Sequence, residues 1–173
     1  MKPFRSTLLL SAAVLLASAS LPVNAQGPLG TATFTGPVRV DGKAASASMS
    51  VASATRISTA DGATAQIALA GGGEIKFAGS TDAVVSLEAQ GPSVQLICGE
   101  VTVTSNTPVR VVAAYGARVS ASSGEVMVGA GTKFKKVKAG KQREMGDLVI
   151  ATTSGASSAM VVSTSDSCRF ERP

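Results

Sequence analysis

The sequence predicts an all-β protein, with short strands either stacked in a solenoid-like arrangement or packed as a compact sandwich, behind an N-terminal signal peptide. Three observations lead there. Apolar residues recur at every second position in short runs, and a helical period is hard to find. The runs are bounded by Gly, Asp, Asn, Ser or Pro, the residues that punctuate strands with turns. A small unit, Gly-x-Val-x-Val, recurs as GPVRV at Gly36–Val40, GEVTV at Gly99–Val103 and GEVMV at Gly124–Val128, with the related TPVRV at Thr107–Val111. In each copy the two valines share a face and the residue between them points away. The glycine suits a sharp bend at the start of a strand. The irregular spacing of the copies argues against a long, regular repeat array.

The first element is an export signal. Lys2 and Arg5 precede an apolar run from Leu8 to Ala19, and Val23-x-Ala25 supplies small residues at a cleavage site. This is the grammar of a secretory signal cut after Ala25. The run is too short to span a bilayer, which takes about 17–25 residues. No lipobox cysteine precedes the cut, and no second apolar run approaches membrane length. The expected location is therefore the periplasm or the exterior. The remaining 173 − 25 = 148 residues are enough to bury a core without help from a metal.

Residues 26–35 read as an extended entry segment. The strands predicted from there are Pro37–Val40, Thr55–Thr59, Thr64–Leu69, Glu74–Ala78, Ala83–Glu88, Ser93–Val103, Val109–Ala114, Ala117–Ser120, Glu125–Val128, Lys133–Val137 and Gln142–Glu144, with a further candidate at Leu148–Thr152. Each alternates apolar with polar residues between turn signals. Residues 44–54, nearly all Ala, Ser and Met, read as irregular or strand-like. The clearest alternation is DGATAQIALAGGGEIKF, from Asp61 to Phe77, a hairpin bent at Gly71–Gly73 that should seat Ile67, Leu69, Ile75 and Phe77 in the core. Residues 36–150 form the predicted β domain. Residues 151–173 read as a Ser/Thr-rich tail with one last candidate strand at Ala159–Val162.

Composition narrows the chemistry. The chain has no His, so Ser-His and Cys-His nucleophile pairs and His-ligated metals are excluded. There is no Gly-x-Ser-x-Gly elbow and no Ser-x-x-Lys. Asp41-Gly42 and Asp61-Gly62 lack the later ligands of a Ca²⁺ loop and read as turns. Glu100 and Glu125 occupy matching places in two of the repeats. They could form a carboxylate pair for glycoside hydrolysis, but outward-facing strand starts account for them. No catalytic residue, cofactor or metal site is expected. The formal charge of +5 falls to +3 once Lys2 and Arg5 are removed with the signal. With no Trp and one Tyr, the chain lacks the stacking platforms that single-stranded nucleic acid uses, and no nucleic-acid partner is expected.

Two features remain. The run KFKKVKAGKQR places Lys133, Lys135, Lys136, Lys138, Lys141 and Arg143 together with no acid among them. Read as a hairpin turning at Ala139-Gly140, with a bulge turning both Lys135 and Lys136 to solvent, it is either a charged edge that prevents sheet-to-sheet association or a contact site for an anionic envelope polymer such as lipid phosphate or acidic glycan. Cys98 and Cys168 are the only cysteines. Export to an oxidising compartment favours a disulfide between them. The alternative is that Cys98 is a free core residue of the run Val94–Val103.

Taken together, several stretches resemble the FecR domain of bacterial envelope proteins. They are GPVRVDGKAA (Gly36–Ala45), RISTADGATAQIALAGGGEIKFAGST (Arg56–Thr81), VSLEAQGPSVQLICGEVTVTS (Val85–Ser105), TPVRVVAAYGARVS (Thr107–Ser120), and GEVMV followed by FKKVKAGKQREM (Phe134–Met145). The resemblance covers about residues 36–148 and rests on patterns of small and apolar residues. Family members join this domain to a cytoplasmic sigma-factor-binding region, a membrane helix and a receptor-contact domain. With an export signal at its N-terminus, this chain is expected to be a stand-alone envelope module without the cytoplasmic anti-sigma part. Its implied work is protein–protein or envelope-surface interaction.

Overall fold

The structure, a computed structural model, describes residues 27–114, 116–146, 148–154, 157–165 and 168. The expected signal peptide and its cleavage site lie outside the described residues. Within them the chain forms β1 (Gly30–Thr35), β2 (Val38–Val40), β3 (Lys43–Ala44), β4 (Ser48–Val51), β5 (Thr55–Thr59), β6 (Thr64–Leu69), β7 (Gly73–Phe77), β8 (Asp82–Glu88), β9 (Gly91–Cys98), β10 (Glu100–Ser105), β11 (Arg110–Ala113), β12 (Arg118–Ser123), β13 (Glu125–Ala130), β14 (Lys133–Lys138), β15 (Gln142–Glu144), β16 (Val149–Thr153) and β17 (Ser158–Ser163). There is no helix among the described residues.

The strands form two sheets. One has eight strands in the order β15-β12-β17-β10-β7-β6-β1-β4, and the other nine in the order β14-β13-β16-β11-β9-β8-β5-β2-β3. Away from the sheet edges the strands bury one face by simple alternation, as in the buried Ala65, Ile67 and Leu69 of β6 or Val149 and Ala151 of β16. The buried residues of both sheets make one continuous cluster. Of the two architectures expected, this is the compact sandwich. A solenoid of stacked rungs needs parallel neighbours, whereas every pairing here is antiparallel except β9 with β11. The hairpin β6–β7 lies in the interior of the eight-stranded sheet, between β1 and β10. Its register sets Ile67 opposite Ile75 and Ala65 opposite Phe77, and Ile67, Ile75 and Phe77 are at most 1% exposed.

The recurring Gly-x-Val-x-Val unit has a specific job. Gly36 joins β1 to β2, Gly99 joins β9 to β10 and Gly124 joins β12 to β13, and each time the chain leaves one sheet and enters the other. The related Thr107-Pro108 lies on the crossing from β10 to β11. At Gly99 the φ angle is +95°, and an added Cβ would lie 2.5 Å from the Thr81 hydroxyl and 2.6 Å from the Ser80 carbonyl. Only glycine makes that corner without strain. Buried hydroxyls receive the corners. The Thr81 hydroxyl donates to the Glu100 carbonyl (3.2 Å) and accepts from the Glu100 N–H (3.1 Å). Thr153 accepts from the Val109 N–H at 2.8 Å.

The course of the chain departs from the sequence reading at one strand and at both ends of the domain. The run expected as one strand over Ser93–Val103 is two strands in different sheets, broken at Gly99. Residues 26–35 are not merely an entry segment, because β1 pairs with both β4 and β6. Residues 44–54, expected as irregular or strand-like, do contain an edge strand, β4. The tail drawn from 151 onward supplies part of β16 and all of β17, which lies between β10 and β12 with Met160 and Val162 fully buried. These ends look peripheral in the sequence because Ser, Thr and Ala dilute the apolar signal there.

Candidate functional site

The lysine-rich segment lies at one lateral end of the sandwich. β14 is the last strand of the nine-stranded sheet and β15 the last of the eight-stranded sheet. Between them the chain turns at Ala139-Gly140, where Gly140 has φ +74° and the Lys141 N–H donates to the Lys138 carbonyl at 3.0 Å. The expected hairpin is therefore corrected. β14 pairs with β13, β15 pairs with β12, and the turn bridges the two sheets. The turn is held by two bonds to Ala121 of β12, one donated by the Gly140 N–H (2.9 Å) and one accepted by the Lys141 carbonyl (3.1 Å).

The expected bulge is absent too. β14 runs in unbroken register against β13, from Glu125 opposite Lys138 to Ala130 opposite Lys133. Val137 faces inward and is 5% exposed, anchoring the strand. Lys135 and Lys133 share its face by alternation yet are exposed, because the edge strand runs past the cover of the opposite sheet. Phe134, Lys136 and Lys138 point outward. On the other sheet Arg143 lies opposite the buried Val119 and is half-buried. Lys138, Lys141 and Arg143 thereby converge on a cleft of about 270 Å³ at the seam, with Lys136, Val137 and Gln142 completing its wall.

The electrostatics are one-sided. Lys136 pairs with Glu125 at 2.7 Å, and Glu144 is taken by Arg118 at 3.1 Å. Among the described residues, Lys133, Lys135, Lys138, Lys141 and Arg143 have no carboxylate partner. Of the six cations singled out in the sequence, five are thus free to meet an anion and all six are brought to one end of the molecule. Glu100 and Glu125 start strands in opposite sheets. Glu100 is exposed, and Glu125 is committed to Lys136.

Cys98 and Cys168 are bonded, with Cα atoms 5.5 Å apart, inside the range a disulfide spans without backbone movement. The bond ties the end of β9 to the chain beyond β17, and the Cys168 N–H donates to the Ser80 carbonyl at 3.2 Å. Near it, at the end of the sandwich away from the lysines, lies a larger groove of about 850 Å³ walled by β2, β3 and Cys168. Its walls are mostly small or apolar, and Arg39 and Asp61 are their charged members. Among the described residues no three His, Cys, Asp or Glu side chains gather into a metal-binding cluster, and no helix is long and apolar enough to cross a membrane.

Sequence reading missed what surrounds the basic edge on the outer face of the nine-stranded sheet. There, among the described residues, acidic side chains on the strands are matched across to a neighbouring strand: Asp82 with Arg56, Glu88 with Arg110 at 3.2 Å, and Glu125 with Lys136. The hydrogen bond from Arg56 holds the Asp82 carboxyl below its ordinary range. Partial burial opposes that shift, and the Ser58 hydroxyl adds to it. The signal that could have revealed the Arg56–Asp82 and Arg110–Glu88 pairs is register, which joins residues 26 and 22 positions apart and is invisible to local periodicity. Compared with family models, curated proteins and solved structures, the chain matches none of them.

Proposed function

We propose that this protein is an exported, non-enzymatic, FecR-like β module of the bacterial envelope that works by surface contact. Of the two kinds of contact expected, a protein partner or an anionic polymer, the geometry favours the anionic one. The observation that carries this reading is the convergence of Lys138, Lys141 and Arg143 on one seam, flanked by Lys133 and Lys135, with no carboxylate pairing any of the five among the described residues. Exposed cations at this density draw in a polyanion by Coulomb attraction that salt screens. A purely protective edge needs fewer: one inward-pointing lysine at the position of Lys135 already blocks a second sheet.

The test is retention of the exported chain on an immobilised polyanion, with elution by a salt gradient. The wild type should bind at low salt. The triple variant Lys135→Gln, Lys138→Gln, Lys141→Gln should elute at clearly lower salt with an unchanged melting temperature, since all three side chains are exposed. A wild type that passes through the column at low ionic strength overturns the reading.

A further inference from the structure

The large exposed apolar side chains of the described residues are three, Ile97, Phe134 and Leu148, at 42%, 41% and 48% exposure. They are far apart in sequence, yet all three lie on the outer face of the nine-stranded sheet. Register shows how. Val84 pairs with Gln95, Gln95 with Val112, Val112 with Ile150, Ile150 with Gly129 and Gly129 with Phe134. One row therefore crosses six strands, and it is apolar except at Gln95. One residue beyond the buried triplet Leu96–Ala113–Val149, Ile97 and Leu148 flank Ala114 on the same face and widen the row. The outer face of the other sheet is different, presenting Thr31, Thr33, Ser48, Ser50, Thr102 and Thr104.

We propose that this outer face is a docking surface for an anionic lipid bilayer. The proposal rests on the reading that the basic edge takes an anionic partner, and it names that partner. Two features select a bilayer. First, among the described residues the carboxylates on the strands of this face are each paired with one of its own arginines or with Lys136, which lowers its repulsion of a negative surface. Second, the apolar row ends at Phe134 on the lysine strand itself, where Lys136 and Lys138 share its outer face and the exposed Lys133 and Lys135 leave the edge on the other. A bilayer surface offers phosphates and an acyl boundary in one plane. An apolar band with lysines at its rim matches that order, since the lysine stems can lie along the apolar zone while their ammonium groups reach the headgroups.

The experiment is co-sedimentation of the exported chain with vesicles of phosphatidylglycerol in phosphatidylcholine, beside vesicles of phosphatidylcholine alone and the immobilised polyanion. The expected result is binding to anionic vesicles, little to neutral ones, and a loss of about tenfold or more in the Phe134→Ser, Leu148→Ser double variant, which should still bind the polyanion resin. A double variant that sediments with anionic vesicles as wild type does refutes the docking face and leaves the anionic reading intact. A wild type that binds the resin but ignores anionic vesicles also refutes the lipid assignment alone, whereas failure on both refutes both. Should the double variant not fold, Phe134→Trp gives a second readout, because the chain contains no other Trp. Its emission should shift to the blue with anionic vesicles, and an unshifted spectrum overturns the proposal.

Discussion

Thr64–Phe77 and Lys133–Glu144 each contain two strands separated by a glycine-bearing turn, and they do opposite things. In the first, β6 and β7 pair with each other and have a further neighbour on each side. Backbone groups are satisfied on both flanks, and alternation separates core from solvent cleanly. In the second, β14 and β15 belong to different sheets and have one neighbour each. Only Val137 is buried, and the remaining side chains of β14 are exposed on both faces. The difference teaches that alternation reports which way a strand faces only when the opposite sheet covers it. At an edge, the same backbone carries charge on both sides and becomes a contact surface.

The largest effect that should separate the two regions is at Phe77. It is 1% exposed, so Phe77→Ala should cost roughly 3–5 kcal/mol by urea unfolding. Lys76→Ala beside it should cost under about 0.5 kcal/mol. Equal costs would mean that the interior hairpin is no more committed to the core than the edge.

Next comes the disulfide. It closes a loop of 70 residues, for which chain entropy suggests roughly 4 kcal/mol, with measured values usually nearer 2–4. Cys98→Ser should lower the melting temperature, yet leave the far-ultraviolet circular dichroism at room temperature unchanged, because Met160 and Val162 of β17 are buried independently of the bond. A thiol titration of the denatured, unreduced wild type should find no free thiol, and two would remove the basis of this prediction.

The smallest stability effect belongs to the edge. Lys135→Val should change unfolding free energy by no more than about 0.5 kcal/mol. It should raise concentration-dependent association in light scattering, because it removes the charge that stands where a second sheet would pack. A variant that stays monomeric over the concentration series would show that Lys135 has no guarding role.

The interior was legible in the sequence because its signal is local. The limits of β5, β6 and β15 coincide with those the alternation predicts, and the four hairpin residues Ile67, Leu69, Ile75 and Phe77 are buried as expected. The basic cluster was legible as a cluster, and the cysteine pair as a pair. Three things were not. The crossing at Gly99 was hidden because the alternation of Ser93–Val103 continues through it while the sheet changes. β1 was hidden by its threonines, since GTATFT buries only Gly30, Ala32 and part of Phe34. The apolar row from Val84 to Phe134 was hidden because each strand contributes one or two residues to it, and only pairing assembles them.

The positions of the last two strands have a consequence in time. β16 lies between β11 and β13, and β17 between β10 and β12, so the end of the chain completes the middle of both sheets at once. A chain emerging N-terminus first must wait with β12 and β13 separated from β10 and β11 until some of its final residues arrive. Through that interval each sheet has a gap with an open edge on either side, four in all, and such unpaired edges recruit foreign strands. Closure relies on contacts distant in sequence, which makes it slow. Cys168 follows directly behind the closing strand, so once the bond to Cys98 forms, the latch is set after the door has shut.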